Sequence, residues 1–480
     1  VLTNQSDEIL KQRRARNRVR AWEWARSVSE LPLSAWRLDR FKAVLSQTAD
    51  GSHEMPERQT GQFCLRAAVR VSGAVLIALG MWLIYVIRHR AGTGQQLLRK
   101  DTKRLFALHG EYTTRTRHLL HEVSSASPAA IIILGRSHRT SQAVRALWAT
   151  RVSQALPLDL VVRMPMSPSA CIGAILDLPR LLGEGIVLSA RATVRLGWRE
   201  EAAIAFRVIL GATAARWWQQ QGLASEVMFG HTGTADTMLF EVAIQNEGGE
   251  SIHIVHGQAT GPNFVGFSNR ALFRSRHDTQ AYQRLACYGQ CLVQTTQAPV
   301  PVRGQSGTLL LTNLAHPMNA GYHRHGLRDE LAMIDTTAAA ARMLGPVAQP
   351  VLWKPHPSLA QLPQETQKSL RAAAQERGIT MLPPETNIIK LAVQSRWVVS
   401  SPSTVALDLL QEGSLTLVLD PQGMVLDTAL LHLPRADTSP DAVLAELTAL
   451  DPGAAYGEKL AAAYAAIGPA RTLDILGKRE

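Results

Sequence analysis

Two short stretches hold residue types suited to chemistry on a charged substrate. The first is Lys354-Pro355-His356-Pro357, which closes an apolar run that begins at Pro350. The second is Ser400-Ser401-Pro402-Ser403-Thr404, which closes the run Trp397-Val398-Val399 and precedes an apolar segment from Val405 to Leu410. A short apolar strand, a hydroxyl-rich turn, a buried helix and a further strand over Leu415–Leu419 make a βαβ unit. Ser401 is the expected N-cap, with Pro402 at the first helical position, Ser403 and Thr404 in the first turn, and Gly413 as the stop. Free N–H groups and the positive end of the helix dipole, with hydroxyls beside them, favour an anion such as phosphate. A well-capped helix with nothing bound fits the same pattern.

Those stretches need elements to position them. Runs at Ala129–Gly135, Leu158–Met164 and Glu184–Ala190 read as strands, and Arg199–Gly222 as a long helix. A helix over Thr234–Asn246 and a strand over Ser251–Gly257 follow. A Pro-rich linker, Thr295–Gly307, opens a second series. It contains strands at Thr308–Asn313, Pro350–Pro357 and Ile379–Leu382, helices near Leu327–Arg342 and Pro363–Arg377, and a short helix capped by Asn387. Alternation of this kind predicts, twice over, a parallel sheet with helices on both faces. Ligands bind in such sheets at the carboxyl ends of the strands. The loops holding His231 and Asp236, His256-Gly257, Thr312-Asn313 with His316, Lys354 with His356, and Ser400–Thr404 all follow predicted strands. An Ala-rich helical tail begins at Asp441, and no internal repeat is evident.

The 480-residue chain is 46% hydrophobic and carries a net charge of +12. The charge is unevenly placed. Residues 1–104 hold 19 Lys and Arg against 9 Asp and Glu, and the remainder holds 32 against 30. A near-neutral main body argues against nucleic acid as its partner. Its four cysteines make no disulfide framework and no zinc spacing, which fits a reducing cytoplasm. The first residue is Val, as in a fragment or a chain read from a non-ATG start.

Val71–Ile87 carries no charge. As a helix it would extend about 25 Å, somewhat short of a hydrocarbon core of about 30 Å. Arg70, Arg88 and Arg90 flank it, and it starts too far along the chain for a signal peptide. A membrane helix over residues 67–90, spanning or re-entrant, is expected. Its flanking charge places the large portion that follows on the cytoplasmic face of the membrane. The cluster Lys11–Arg20 leaves a monotopic arrangement on anionic lipid open.

With His356-Pro357 and Ser400-Ser401, separated by the stretch around Asn387-Ile388-Ile389-Lys390, the chain resembles bacterial GT-B glycosyltransferases. It looks most like the group of capsule and lipooligosaccharide sialyltransferases and CDP-glycerol glycerophosphotransferases. His256-Gly257 is similar to the His-Gly motif of the glycerophosphotransferases, whereas the acidic motif of the sialyltransferases has only Asn246–Glu250 as a counterpart. The resemblance implies two Rossmann-like parallel-sheet domains facing a cleft. Residues 91–300 would be the acceptor side and 301–440 the nucleotide-donor side. They would follow a basic helical region over 1–66 and the apolar helix, and precede C-terminal helices over 441–480. It implies transfer of a sugar or sugar-like group, from a CMP- or CDP-linked donor by preference, to a glycan or glycolipid acceptor in surface-polysaccharide synthesis. Lys354, His356, Ser400, Ser401, Ser403, Thr404, Asn313 and Glu385 would meet the nucleotide, and His256 or Asp236 would act as base. No Asp-x-Asp occurs in the chain, so no metal or other cofactor is expected. A sugar-nucleotide epimerase of related fold and a non-catalytic membrane-tethered scaffold are the alternatives.

Overall fold

The computed structural model describes residues 34–48, 61–90, 104–109, 129–134, 158–163, 167–223, 225–229, 234–255, 266–283, 290–292, 298–314, 326–356, 359–360, 362–383, 386–421, 429–451 and 453–469, with scattered positions before residue 34 and residue 54. The first half begins with helices α1 (Ala35–Thr48) and α2 (Leu65–Arg90). Strands β1 (Arg104–His109), β2 (Ala129–Leu134) and β3 (Leu158–Arg163) come next. Helix α3 (Pro168–Arg191) starts at the N-cap Ser167, whose hydroxyl accepts from the Ala170 N–H at 3.1 Å. Helix α4 (Trp198–Gln221) stops at Gly222, which takes φ +58°. Then come β4 (Glu226–Phe229), α5 (Ala235–Asn246), β5 (Glu250–Ile254), β6 (Arg270–Leu272), α6 (Arg276–Gln283) and β7 (Gln290–Leu292). The strands form one sheet in the order β3-β2-β1-β4-β5-β6-β7, and every pairing is parallel.

The second half is built from β8 (Ser306–Leu311), α7 (Leu327–Leu344), β9 (Val351–Lys354), α8 (Gln364–Glu376), β10 (Thr380–Met381), α9 (Ile388–Gln394), β11 (Ser395–Ser400), α10 (Val405–Gln411), β12 (Thr416–Leu419) and β13 (Arg435–Ala436). Its strand order is β10-β9-β8-β11-β12-β13, again all parallel. Helices α11 (Pro440–Ala449) and α12 (Gly453–Ile467) pack Val443, Leu447, Tyr456 and Leu460 into this second core. The expected fold class of two Rossmann-like parallel-sheet halves is what the chain forms.

Several sequence expectations need correction. Glu184–Ala190 is the last part of α3, not a strand. Its Ile-Val-Leu run reads as a buried strand by composition, but it continues a helix whose inner face buries Leu178, Leu182 and Ala190. Helix α3, the central strand β1 and the elements β6, α6 and β7 were not anticipated. β1 is the strand on which the first sheet turns.

Charge inside the first half is paired. Arg40 is 2% exposed. It bonds to the buried Glu201 carboxylate, to Ser189 Oγ at 3.1 Å and to the Val194 carbonyl. Trp36 Nε1 also donates to Ser189 Oγ at 3.2 Å. This cluster pins α1 to α3 and α4. Removing one member of a buried ion pair strands the other. Glu201→Gln is therefore expected to lower unfolding free energy by about 3 kcal/mol. The pair Arg40→Met with Glu201→Leu should recover most of that in denaturant titration.

Candidate functional site

The second sheet reverses direction at β8. The chain moves outward to β9 and β10, returns across β8, and continues to β11, β12 and β13. In open α/β sheets the crevice at such a reversal receives the ligand. Register fixes what surrounds it. Leu311, the last residue of β8, pairs with Lys354 on one side and Ser400 on the other. Thr312 N–H donates to the Lys354 carbonyl at 3.3 Å, and Ser401 N–H donates to the Leu311 carbonyl at 2.8 Å. The segments carrying His356 and Ser401 thus leave the same edge of the sheet two strands apart, about 10 Å, with Asn313 between them.

The side chains divide into spent and available groups. Ser400 Oγ donates to the Ser401 carbonyl at 2.7 Å. Lys354, 4% exposed, places Nζ 3.2 Å from the Pro355 carbonyl. His356 and Asn313 are half-buried. His356 accepts at its carbonyl from the Leu359 N–H at 2.9 Å, which closes a turn. Ser401 is fully buried, and its hydroxyl has no hydrogen-bond partner among the described residues. An unmatched buried hydroxyl just past the end of β11 leaves one hydrogen bond to be made there.

Ser401 does not cap the following helix. α10 starts only at Val405, with Thr404 at its N-cap position, and no side-chain cap bond forms there. Pro402 and Ser403 belong to the turn, where Ser403 Oγ lies 3.4 Å from the Val405 N–H. Pro402 removes one donor and leaves a seven-residue helix, shorter than expected. Gly413 does end it, at φ +80°, and a Cβ there would lie 2.2 Å from the Val300 carbonyl oxygen.

Of the acceptor-side candidates, Asp236 occupies the first turn of α5 and is 3% exposed. It lies at the crossing of α5 over α4, where a Cβ on Gly211 would come within 2.7 Å of the Asp236 Cα. Beside it, Asp39 Oδ2 accepts from the Ala235 N–H at 3.1 Å. Asp39 also takes two bonds from Arg207, at 2.6 and 2.8 Å. Burial alone would lower the Arg207 guanidinium, but Asp39 and, further out, Asp236 hold it above its ordinary value. His256 directly follows β5 and its buried neighbour Val255, and lies outside the described residues, as do His231, His316 and Glu385.

One group at the crevice escaped the sequence reading. Glu330 stands in the first turn of α7, 1% exposed. The Thr312 hydroxyl and the Leu314 N–H bond to it, and Thr312 Oγ accepts from Trp353 Nε1 at 2.8 Å. Burial, helped by the nearby Asp329, pushes the Glu330 carboxyl up to about 7. A Glu near a helix start reads in sequence as an ordinary complement to the dipole, so only packing reveals it.

A seam joins the two halves near these loops. Arg274, just beyond β6, pairs with Asp408 of α10. His277 and His432 bring ring nitrogens to 3.1 Å. The Arg276 N–H reaches the Gly468 carbonyl at 2.9 Å, beyond α12. Elements following the carboxyl ends of both sheets therefore meet.

No family model matches the chain, and no curated protein matches it. Among solved structures, it is similar to the Staphylococcus aureus MnaA–UDP co-structure, at 9% identity over 76% of this chain and 94% of that one, TM-score 0.42. It is similar to Acinetobacter baumannii MurG, at 12% identity over 78% and 98%, TM-score 0.42. It is also similar to a variant of the wall teichoic acid polymerase TagF, at 9% identity over 85% and 97%, TM-score 0.41.

The Glu330 environment makes stability depend on pH. The unfolded chain loses this proton in the ordinary carboxyl range, and the folded chain only near pH 7. Stability is therefore lost as pH rises through that window, by roughly 3 kcal/mol. Glu330→Gln should show a stability gain over the parent that grows up to about pH 7 and is level above it. Denaturant titrations at several pH values check this, and a pH-independent difference refutes it.

Proposed function

We propose that the chain is a glycosyltransferase that uses a nucleotide-linked donor, CMP- or CDP-linked by preference, and a surface-polysaccharide acceptor. The observation that carries this reading is the in-register meeting of Lys354-Pro355-His356, Thr312-Asn313 and Ser400-Ser401 at the reversal point of the second sheet. Three strand ends there supply an imidazole, an amide and an unmatched hydroxyl, the outer two about 10 Å apart.

In the proposed reaction, the bond between the anomeric carbon and the donor phosphate breaks and the acceptor oxygen takes its place. His256, with Asp236 as the lesser candidate, accepts the acceptor proton from the first half. His356 and the Ser401–Thr404 turn meet the negative charge that grows on the departing phosphate. The Lys354 ammonium, held on the Pro355 carbonyl, adds positive potential from beneath the loop and not as a direct contact. Asn313 orients the nucleotide from the middle strand, and Glu385 contributes from the loop before α9. The role of Asp236 is constrained by its burial against α4, so His256 carries the base assignment.

CMP, CDP, UDP and GDP should be compared for their effect on Tm, because a ligand that binds only the folded state must raise it. A cytidine nucleotide is expected to give the largest rise, and His356→Ala to abolish it and slow transfer at least 100-fold, or about 3 kcal/mol of barrier. Unchanged turnover in His356→Ala would remove the site assignment. Interconversion of a free nucleotide sugar without acceptor would replace the transferase reading with the epimerase one.

A further inference from the structure

The first half carries an apolar surface that its own core leaves uncovered. Helix α2 buries Val71, Val75, Ala78, Trp82 and Tyr85 against the fold, and Tyr85 meets Phe206 of α4 edge-on with ring centroids 6.1 Å apart. Its opposite face exposes Leu76, Ile77, Leu83, Ile84 and Ile87, with Leu76 68% exposed. Helix α3 runs antiparallel beside it, since the Cys64 N–H before α2 reaches the Ala190 carbonyl at the end of α3, 3.1 Å away. It too has an outward apolar stripe, at Ile172, Ile175, Leu176 and Val187, with Leu176 75% exposed. Two helices of 26 and 24 residues, each about 35–40 Å long, thus turn large apolar side chains outward, with Arg180 and Glu184 interspersed on α3.

The rim of the strip indicates its occupant. At the end where α2 starts and α3 finishes, Arg66, Arg70, Arg191, Arg195 and Arg199 are exposed, against Glu184 and Glu200. Phe63 and Trp198 are each 51% exposed at the same end, and the Arg199 guanidinium lies 5.5 Å from the Trp198 ring centroid. Residues 61–90 contain no Asp or Glu. Apolar surface bordered by arginine and by aromatic rings matches the layering of an anionic lipid interface.

The geometry also decides how the lipid is met. For α2 to cross a bilayer alone it would have to leave α4, exposing Trp82 and Tyr85 and the core they cover. If it crossed with its neighbours still attached, the Asp177–Arg216 pair and Arg207 would enter hydrocarbon, at high cost. We propose that the first half docks on an anionic bilayer with α2 and α3 lying side by side in the plane of the interface, so that α2 does not span it. This reading is independent of the transferase chemistry.

The test uses the full chain and vesicles of phosphatidylcholine with or without phosphatidylglycerol. Flotation is expected with anionic vesicles, together with release by alkaline carbonate. Two pairs of exposed changes, Leu76→Glu with Leu83→Glu on α2 and Ile172→Glu with Leu176→Glu on α3, should each weaken vesicle binding tenfold or more. Far-UV melting curves should remain those of the parent. Arg66→Gln with Arg70→Gln should remove the preference for anionic lipid. Carbonate-resistant association that ignores the α3 changes would overturn the proposal in favour of a spanning α2. An oligomer broken by the α3 changes, with no vesicle binding, would overturn it in favour of a second copy.

Discussion

The site depends on one constraint, the parallel pairing of β8 on both of its edges. A central strand bonded to β9 and β11 at once leaves the chain no route except outward on one side and then back across to the other. Loops after β9 and β11 therefore diverge, and the space between them opens over the end of β8. Backbone bonds rather than side chains hold this geometry. Thr312 N–H to Lys354 and Ser401 N–H to Leu311 extend the ladder one residue past the strands. Residues that interrupt pairing, Pro355 and Pro402, stand just beyond on either side.

The two ends of that sheet are treated differently. At the amino end, Arg303 and Arg396 both bond to Asp451, at 2.6 and 2.8 Å. Their guanidiniums lie 5.5 and 5.1 Å from the Trp397 ring centroid. Burial alone would raise the Asp451 carboxyl, but those two bonds outweigh it and keep it below its ordinary range. Gly304 N–H bonds to the Ser395 carbonyl at 3.0 Å, so the linker enters the sheet already anchored. At the carboxyl end, polar groups are buried with part of their capacity unfilled: Ser401 Oγ and Glu330 Oε2 have no hydrogen-bond partner among the described residues.

The sequence was legible where local signals and packing agree. Trp397-Val398-Val399 and Leu415–Leu419 are short β-rich runs closed by turn residues, and they fold as β11 and β12. Asn387 caps α9 as expected, its side chain accepting from the Lys390 N–H at 3.1 Å. Legibility ended where tertiary context overrode composition. The β-branched run within Glu184–Ala190 is helical because it continues α3 over a buried face. Ser401 resembles an N-cap, yet it is drawn into the β8–β11 ladder instead, and α10 begins four residues later. Glu330 gave no sign at all, because desolvation is a property of the packed state. The second apolar helix, α3, was hidden by Asp177, Arg180 and Glu184, which break up its hydropathy.

Layering sets the outer strip of the first half apart from its sheet. Its sheet is followed outward by α5 and α4, and then by α2 and α3. Helix α4 buries Ile204, Ile209, Trp217 and Trp218, and Trp218 meets Phe240 of α5 edge-on with centroids 5.5 Å apart. Its charged side chains are met by neighbouring helices, Glu201 by Arg40 and Arg207 by Asp39 of α1, and Arg216 by Asp177 of α3. The outer strip belongs to the first half and the crevice at β8 to the second. The charge that would hold lipid and the charge that would hold phosphate therefore sit around different sheets, the rim arginines on or between α2, α3 and α4 and His356 beyond β9.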